Sequence, residues 1–409
     1  MVSARPGGYL QLLRDRRFRY YWLSQAAGDA GYAVYAISVV WLGYRISGSA
    51  LVVGVLLGVE FSVYALSFLA GAVIDRVRDL RSVLVVGYPV QAAGAFTLGL
   101  LLATGRLDVP ILLVLVALIS LMWDFTWTAN NAIPPHLVEG DELLRANGLI
   151  GAASGGSQIG GYAAGGTLLL IVGPATGQFL YGALNLVALV LVLPLAVPQV
   201  GAAAGDFVER LRGGWRYLAS AAGGPLRQLT VYSSVQGIVS LAPPLLITLL
   251  SARYYTDPAA TYSLLFASFA VGGVAGSLVL GAWNPRRRLA TVLLGGTALE
   301  GLLILGAVLS VPLIVPSALA WFAVGMGDIA LWTVLLAYVQ ASTPKQLLGR
   351  TITNAYFFRG VTRAGGVVAL GVLGTLVLPA TLAWIVGVTF LAIALVASAT
   401  MPALRRLAY

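Results

Sequence analysis

The sequence predicts an all-α membrane protein with twelve transmembrane helices in two pseudo-symmetric six-helix bundles. Three observations carry that expectation. Hydrophobic residues make up 59% of the 409-residue chain and charged residues only 10%, far below the roughly 25% charged content of soluble domains. The apolar residues fall in continuous runs of about 20, the length that crosses hydrocarbon, and not in the alternating segments of about ten that build a membrane barrel. The two halves of the chain also echo each other at a single offset.

The runs place the spans at 19–45, 50–75, 81–104, 109–133, 143–170, 177–198, 226–250, 259–283, 288–309, 312–340, 348–376 and 379–401. Helices follow because a backbone in lipid must satisfy its N–H and C=O groups internally, and a continuous apolar run does so within itself. The stretch before the first span, "MVSARPGGYLQLLRDRRFRYYWL", has a basic flank but no small-residue cleavage site, so the first span is expected to be retained.

Arginine and lysine set the orientation. With both termini on the cytoplasmic side of a plasma or inner membrane, 20 basic residues lie in inner segments and only Arg45, Arg106 and Arg253 lie outside. Such an asymmetry is the mark of positive-inside topology and an even number of spans. The same reading explains the net charge of +10 by lipid head groups and excludes nucleic acid as the partner.

Residues 199–225 form the longest polar connection and divide the chain into an N-terminal bundle, 1–198, and a C-terminal bundle, 226–409. Within the connection, Phe207, Leu211, Trp215 and Leu218 recur at helical spacing opposite Glu209, Arg210 and Arg216, as in a helix lying on the membrane surface. A shift of 204 residues carries Asp124 onto Asp328, Leu143 and Leu144 onto Leu347 and Leu348, and Gly156 and Gly161 onto Gly360 and Gly365. Coincidences at one offset support two related halves.

Composition also excludes several chemistries. The chain has no cysteine and a single histidine, His136, which leaves no disulfide, no thiol chemistry and no histidine-based metal cluster. No Ser-His-Asp arrangement is evident, so no enzymatic activity, metal or cofactor is expected.

Charges inside apolar spans are expensive and therefore informative. Asp29, Glu60, Asp124, Glu300, Asp328, Arg359 and Arg363 all fall within spans. On the fourth span Ser120, Asp124, Thr128 and Asn131 recur at i, i+4, i+8 and i+11 and make one polar stripe. Gln25, Asp29 and Tyr32 share a face of the first span, and Tyr356, Arg359 and Arg363 share a face of the eleventh. Asp29, Asp124, Asp328, Glu60 and Asn131 are the expected cavity or coupling residues. Two arginines one turn apart need acidic partners or an anionic ligand, so Arg359 and Arg363, with Tyr356, are the expected gate or anion-binding group. Gly151, Gly155, Gly161 and Gly165 stand at four-residue spacings on the fifth span, a pattern that permits close helix packing.

The short segment "GAVIDRVRDLR", Gly71 to Arg81, resembles the G-x-x-x-D-R-x-x-[RK] loop of the major facilitator superfamily. The opening "LLRDRRFRYYWLSQAAGDAG" resembles the start of drug and macrolide exporters and of the enterobactin-exporter-like branch. The resemblance implies a monomeric carrier of small molecules among membrane lipids. It gives Gly71 a packing role, Asp75 an interaction with the N-terminal end of the eleventh helix, and Arg76, Arg78 and Arg81 cytoplasmic contacts in the outward-open state. Two departures stand out. The second-half counterpart "GAWNPRRR", Gly281 to Arg288, has no aspartate matching Asp75, and "GYAAGG", Gly161 to Gly166, carries Tyr162 where the antiporter signature has proline.

The reading that follows is efflux of an amphipathic, drug-like or siderophore-like molecule by alternating access in exchange for H+. The first alternative is a proton-coupled importer of a nutrient or organic anion with the arginine pair as receptor. The second is a non-transporting receptor or lipid scramblase on the same fold.

Overall fold

The structure is a computed structural model that describes residues 9–74, 77, 79–138, 142–171, 173–195, 197, 216, 220, 224–283, 289–342, 345–402 and 404. The described elements are all helices: α1 (Tyr9–Arg14), α2 (Arg16–Ser47), α3 (Ala50–Ile74), α4 (Leu80–Ala103), α5 (Val109–Ala132), α6 (Pro134–Leu137), α7 (Glu142–Ile171), α8 (Pro174–Val192), α9 (Gly224–Gly237), α10 (Ala242–Tyr254), α11 (Pro258–Trp283), α12 (Leu289–Leu309), α13 (Ile314–Ser342), α14 (Lys345–Leu376) and α15 (Pro379–Thr400). Among the described residues eight helical stretches, with Gly224–Tyr254 taken as one, are long and apolar enough to cross a membrane, and the chain is an all-α polytopic membrane protein.

Polar side chains and prolines start these helices. Asp15 accepts from the backbone N–H of Arg17 and Phe18 at 2.7 and 3.0 Å, Asp79 from Arg81 at 3.0 Å, and Asp108 from Ile111 at 2.9 Å. Each satisfies a donor that the first helical turn leaves open. Pro110, Pro174 and Pro379 occupy first-turn positions, where the missing N–H costs nothing. The turn after α4 uses Gly105 at φ 67°, a left-handed conformation that glycine adopts without strain.

The chain divides into two compact units, one of Met1–Val39 with Leu69–Ala204 and one of Val40–Phe68 with Gly205–Tyr409. In the first unit α4 packs on both α5 and α8. Tyr21, Leu84, Tyr88, Ala129, Ile133, Ala188 and Val192 form the core that joins α2, α4, α5 and α8. Gly161 brings α7 against α2, since a Cβ there would stand 2.6 Å from the carbonyl oxygen of Ala30.

In the second unit the tightest pairing is α11 with α13. Added Cβ atoms at Gly272 and Gly325 would stand 1.9 Å from the carbonyl oxygens of Phe322 and Phe269, so backbone meets backbone at both places. Gly301 and Gly387 do the same for α12 and α15, and Gly54 and Gly371 for α3 and α14. Trp41 stacks on Tyr262 with ring centroids 5.0 Å apart.

One span departs from its expected form. The run 226–250 reads as one helix, whereas α9 stops at Gly237 and α10 begins at Ala242. Pro243 and Pro244 cause the break: neither has an N–H to continue the ladder, and both fit the first turn of a new helix. The connection is held by three-residue turns, Ile238 N–H to Val235 at 3.2 Å, Val239 to Gln236 at 3.2 Å and Ser240 to Gly237 at 3.2 Å. The surface helix expected around Phe207 to Leu218 lies outside the described residues, apart from Arg216.

Adding a methyl at Gly325 has to push α11 and α13 apart. Gly325→Ala is expected to destabilise by about 1–3 kcal/mol, read as a lower midpoint of thermal unfolding in detergent. Gly151→Ala, where nothing stands within 4 Å of the added Cβ, is expected to leave the midpoint unchanged or raise stability by up to about 1 kcal/mol through helix propensity.

Candidate functional site

Each unit encloses its own polar cluster. In the first unit the cluster is built mostly of neutral groups that satisfy one another. Tyr21 donates its hydroxyl toward Gln25 Oε1 at 2.7 Å and the Asn130 carbonyl at 2.8 Å, and Asn130 Nδ2 donates to the Tyr88 hydroxyl at 3.2 Å. Tyr181 donates to Gln91 Oε1 at 2.7 Å, and Gln91 Nε2 to Thr126 at 3.2 Å. Two acids stand at its margin. Asp29, half-buried on α2, accepts a short hydrogen bond from Ser154 on α7. Asp124 is buried on α5 next to Trp123, whose ring stacks on Tyr32 at 3.9 Å.

The expected stripe on the fourth span is thus only partly internal. Ser120 and Asp124 are buried and Thr128 half-buried, but Asn131 is exposed and donates back to the Trp127 carbonyl at 2.7 Å. Its neighbour Asn130 is the asparagine that joins the internal network. One residue on a helix is a turn of about 100°, enough to exchange an inner face for an outer one.

The second unit holds a charged cluster on four helices. Arg359 on α14 is buried, and its Nη1 donates to the Ser233 carbonyl at 3.1 Å and to Gln236 Oε1 at 2.7 Å, both on the last turns of α9. Two glycines let α14 come this close. A Cβ at Gly237 would meet Thr362 Oγ1 at 2.6 Å, and one at Gly366 would meet the Ile238 carbonyl at 2.1 Å. The break after α9 exposes a helix C-terminus, a place of negative partial charge that favours a guanidinium. Arg363, one turn along, lies over the Phe61 ring at 4.9 Å, a cation–π contact.

Two acids complete the cluster. Asp328, half-buried on α13, interacts with Arg363 and Arg359. Glu300, fully buried on α12, interacts with Asp328 and Arg359. Tyr232 on α9 bonds Thr297 Oγ1 and donates to the Leu293 carbonyl at 3.0 Å, which holds its hydroxyl one turn from Glu300. The structure therefore brings Asp328, Arg359 and Arg363 together. It adds Glu300, Gln236, Ser233 and Tyr232, which sequence reasoning left out of the site.

The two clusters are related. Ser233 stands 204 residues after Asp29, and Arg359 stands 205 after Ser154. In the first unit a polar bond thus joins α2 to α7, and in the second another joins α9 to α14.

The other expected residues are placed as follows. Glu60 is buried on α3 beside Phe61. Gly71 lies in the last turns of α3, Gly165 in α7 and Tyr356 in α14, with side-chain surroundings outside the description. Asp75, Arg76 and Arg78 also lie outside the described residues. Arg81 donates a short hydrogen bond to the Leu193 carbonyl at the C-terminal end of α8. Gly151 and Gly155 have no atom within 4 Å of a would-be Cβ, unlike Gly161.

A sequence family described as transmembrane secretion effector matches residues 8–407. No curated protein sequence matches the chain. Among solved structures, a POT family transporter in complex with 5-aminolevulinic acid matches with TM-score 0.75 at 11% identity, covering 95% of this chain and 96% of the other. A peptide transporter POT in complex with sulfate matches with TM-score 0.74 at 14% identity, covering 96% of each chain. A nucleoside transporter matches with TM-score 0.73 at 12% identity, covering 95% of this chain and 99% of the other. At these identities the likeness establishes the fold, that of major facilitator transporters.

The matches correct the expectation of efflux. The opening segment predicts proton antiport of an amphipathic, drug-like or siderophore-like molecule, whereas the solved structures that share the fold are transporters of peptides and nucleosides. The physical reason lies in the second unit's cluster. Guanidinium, carboxylate and amide groups offer a polar solute its hydrogen bonds and offer an amphipathic molecule little apolar contact. Efflux, antiport and multidrug transport are set aside, and the likeness to drug, macrolide and enterobactin exporters no longer guides the choice of substrate.

The mutual support of Asp328 and Arg363 is measurable. In a double-mutant cycle of Asp328→Asn and Arg363→Gln, the two single changes are expected to cost more together than the double, with a coupling of about 1–3 kcal/mol in thermal or denaturant unfolding.

Proposed function

This chain belongs to the transmembrane secretion effector family within the major facilitator fold, and we propose that it is a proton-coupled secondary transporter importing a small polar solute that carries an anionic group. The observation that carries the reading is Arg359, a guanidinium at membrane depth held by the end of a broken helix and balanced by Asp328 and Glu300. Discontinuous helices near the bilayer midplane are where carriers bind solutes and coupling ions. The nature of the structural neighbours supports the same substrate class. Peptides and 5-aminolevulinic acid, named for two of them, both carry carboxylates.

In this reading twelve spans form two six-helix bundles, 1–198 and 226–409, joined by a cytoplasmic linker at 199–225, with both termini cytoplasmic in the plasma or inner membrane. The described helices support it, since their bounds follow the twelve expected ranges in order once α9 and α10 are taken as one broken span. Alternating access then exposes the cluster to each side in turn, and an inward proton gradient gives the solute its direction. Arg359 and Arg363 serve as the anion receptor, Asp328 as a coupling acid. Asp29 and Asp124 serve as cavity acids of the first bundle, and the loop from Gly71 to Arg81 stabilises the outward-open state. Coupling by H+ fits a site that contains the titratable acids Asp328 and Glu300.

The test is flux in proteoliposomes of known orientation, with short peptides, 5-aminolevulinic acid and nucleosides as probes. Saturable uptake of a carboxylate-bearing probe is expected under an inward proton gradient, falling by about tenfold or more in Arg359→Gln, a loss of about 1.4 kcal/mol or more of binding. Net outward movement against the proton gradient, or no saturable movement of any probe, overturns the reading.

A further inference from the structure

The first unit carries two acids that no described base neutralises. Asp29 on α2 is half-buried and accepts from Ser154 Oγ at one carboxylate oxygen, while its other oxygen, Oδ1, takes no hydrogen bond among the described residues. Asp124 on α5 is 4% exposed and takes neither a hydrogen bond nor an ion pair among the described residues. Ser120, one turn from it on the same stripe, is equally buried, and its Oγ has no described partner. Basic residues of α2, α4, α5, α7 and α8 stand only in end turns, and none acts on either acid.

Helices α2 and α5 run antiparallel, since Tyr21 meets the Asn130 carbonyl while Tyr32, further along α2, stacks on Trp123, further back on α5. At a rise of about 1.5 Å per residue, Asp29 lies about 4.5 Å and Asp124 about 1.5 Å along the axis from that stacked pair, both on the same side of it. Two carboxyl groups and two half-buried rings therefore share one level of the first unit. Gln25, one turn before Asp29, adds an amide oxygen that accepts from Tyr21 at 2.7 Å and keeps a second lone pair. Space stands open on the α7 side. An added Cβ at Gly151, one turn before Ser154, or at Gly155, next after it, would have no atom within 4 Å.

Carboxylates without a base in an apolar interior call for a positive ligand. A proton alone needs neither rings nor open space beside the acid. A metal ion needs about six oxygens closing round it, whereas here Ser154 holds one oxygen of Asp29 and rings occupy the next turn. An organic ammonium matches what is present: N–H donors for Asp29 Oδ1 and Gln25 Oε1, a charge for the field of two acids, and carbon for the ring faces. We propose that Asp29 is the receptor of a primary ammonium group, with Asp124 adding to the negative field and Tyr32 and Trp123 walling the carbon chain. The ligand class is thus a small primary amine. The site rests on the reading of Asp29 and Asp124 as cavity acids and not on the anion assigned to Arg359.

The experiment is thermal unfolding of the full-length protein in zwitterionic lipid, with n-butylammonium chloride replacing sodium chloride at fixed ionic strength and neutral pH, and n-butanol as the uncharged control. A saturable rise of the midpoint is expected with n-butylammonium and none with n-butanol. Asp29→Asn is expected to weaken the apparent affinity by about tenfold or more, through loss of a charge-assisted hydrogen bond, and Asp29→Glu to keep part of it. Gly151→Leu, which begins from a Cβ with open surroundings, is expected to fill the space, weaken binding to a similar degree and leave the ligand-free midpoint in place. No saturable rise, an equal rise with n-butanol, or an affinity that Asp29→Asn leaves unchanged overturns the proposal. A midpoint that moves with pH and ignores the amine identifies a proton site only and overturns it as well. Should Asp29→Asn fail to fold, Gly151→Leu decides. Binding is read here without a gradient, so the two readings fail separately: carboxylate uptake without amine binding sinks the ammonium site alone, and amine binding without uptake sinks the import reading alone.

Discussion

Hydrocarbon offers no hydrogen bond to a guanidinium, so Arg359 can stand at membrane depth only where the protein itself supplies the acceptors. Much of the second unit follows from that requirement. Pro243 and Pro244 interrupt the seventh span and give α9 a C-terminus inside the apolar region. The end of a helix carries partial negative charge and carbonyls with free lone pairs, the two things a buried cation needs. Gly237 and Gly366 remove the side chains that would keep α14 away from that end. Without the prolines there is no helix end, and without the glycines Arg359 does not reach it. Its charge in turn calls for the acids on α12 and α13, which sit within its field.

The first unit meets the same constraint by different means. Tyrosines, glutamine and asparagine pair among themselves across α2, α4, α5 and α8, so its interior is polar yet nearly uncharged. The contrast is one of charge: neutral hydrogen bonds join the helices of the first unit, whereas a guanidinium and carboxylates meet in the second.

Much of this was legible in the sequence, for reasons that differ by level. Hydropathy runs give the helices because the solvent is apolar over a fixed thickness, and α4, α5, α12 and α15 begin and end within a few residues of the expected ranges. Intramembrane charge gives Asp328, Arg359 and Arg363 because its cost makes chance occurrence rare. Spacing alone fails where one residue changes the face, as with Asn131 on the outside and Asn130 within. It fails again at Glu300, which has no other charged residue along its helix, so that only the packing of α12 against other helices reveals its company. A hydropathy run passes over the break after Gly237, which two adjacent prolines carry. The partners of Arg359 there, the Ser233 carbonyl and Gln236 Oε1, come from the packing of α14 on α9, which spacing along one helix does not reveal.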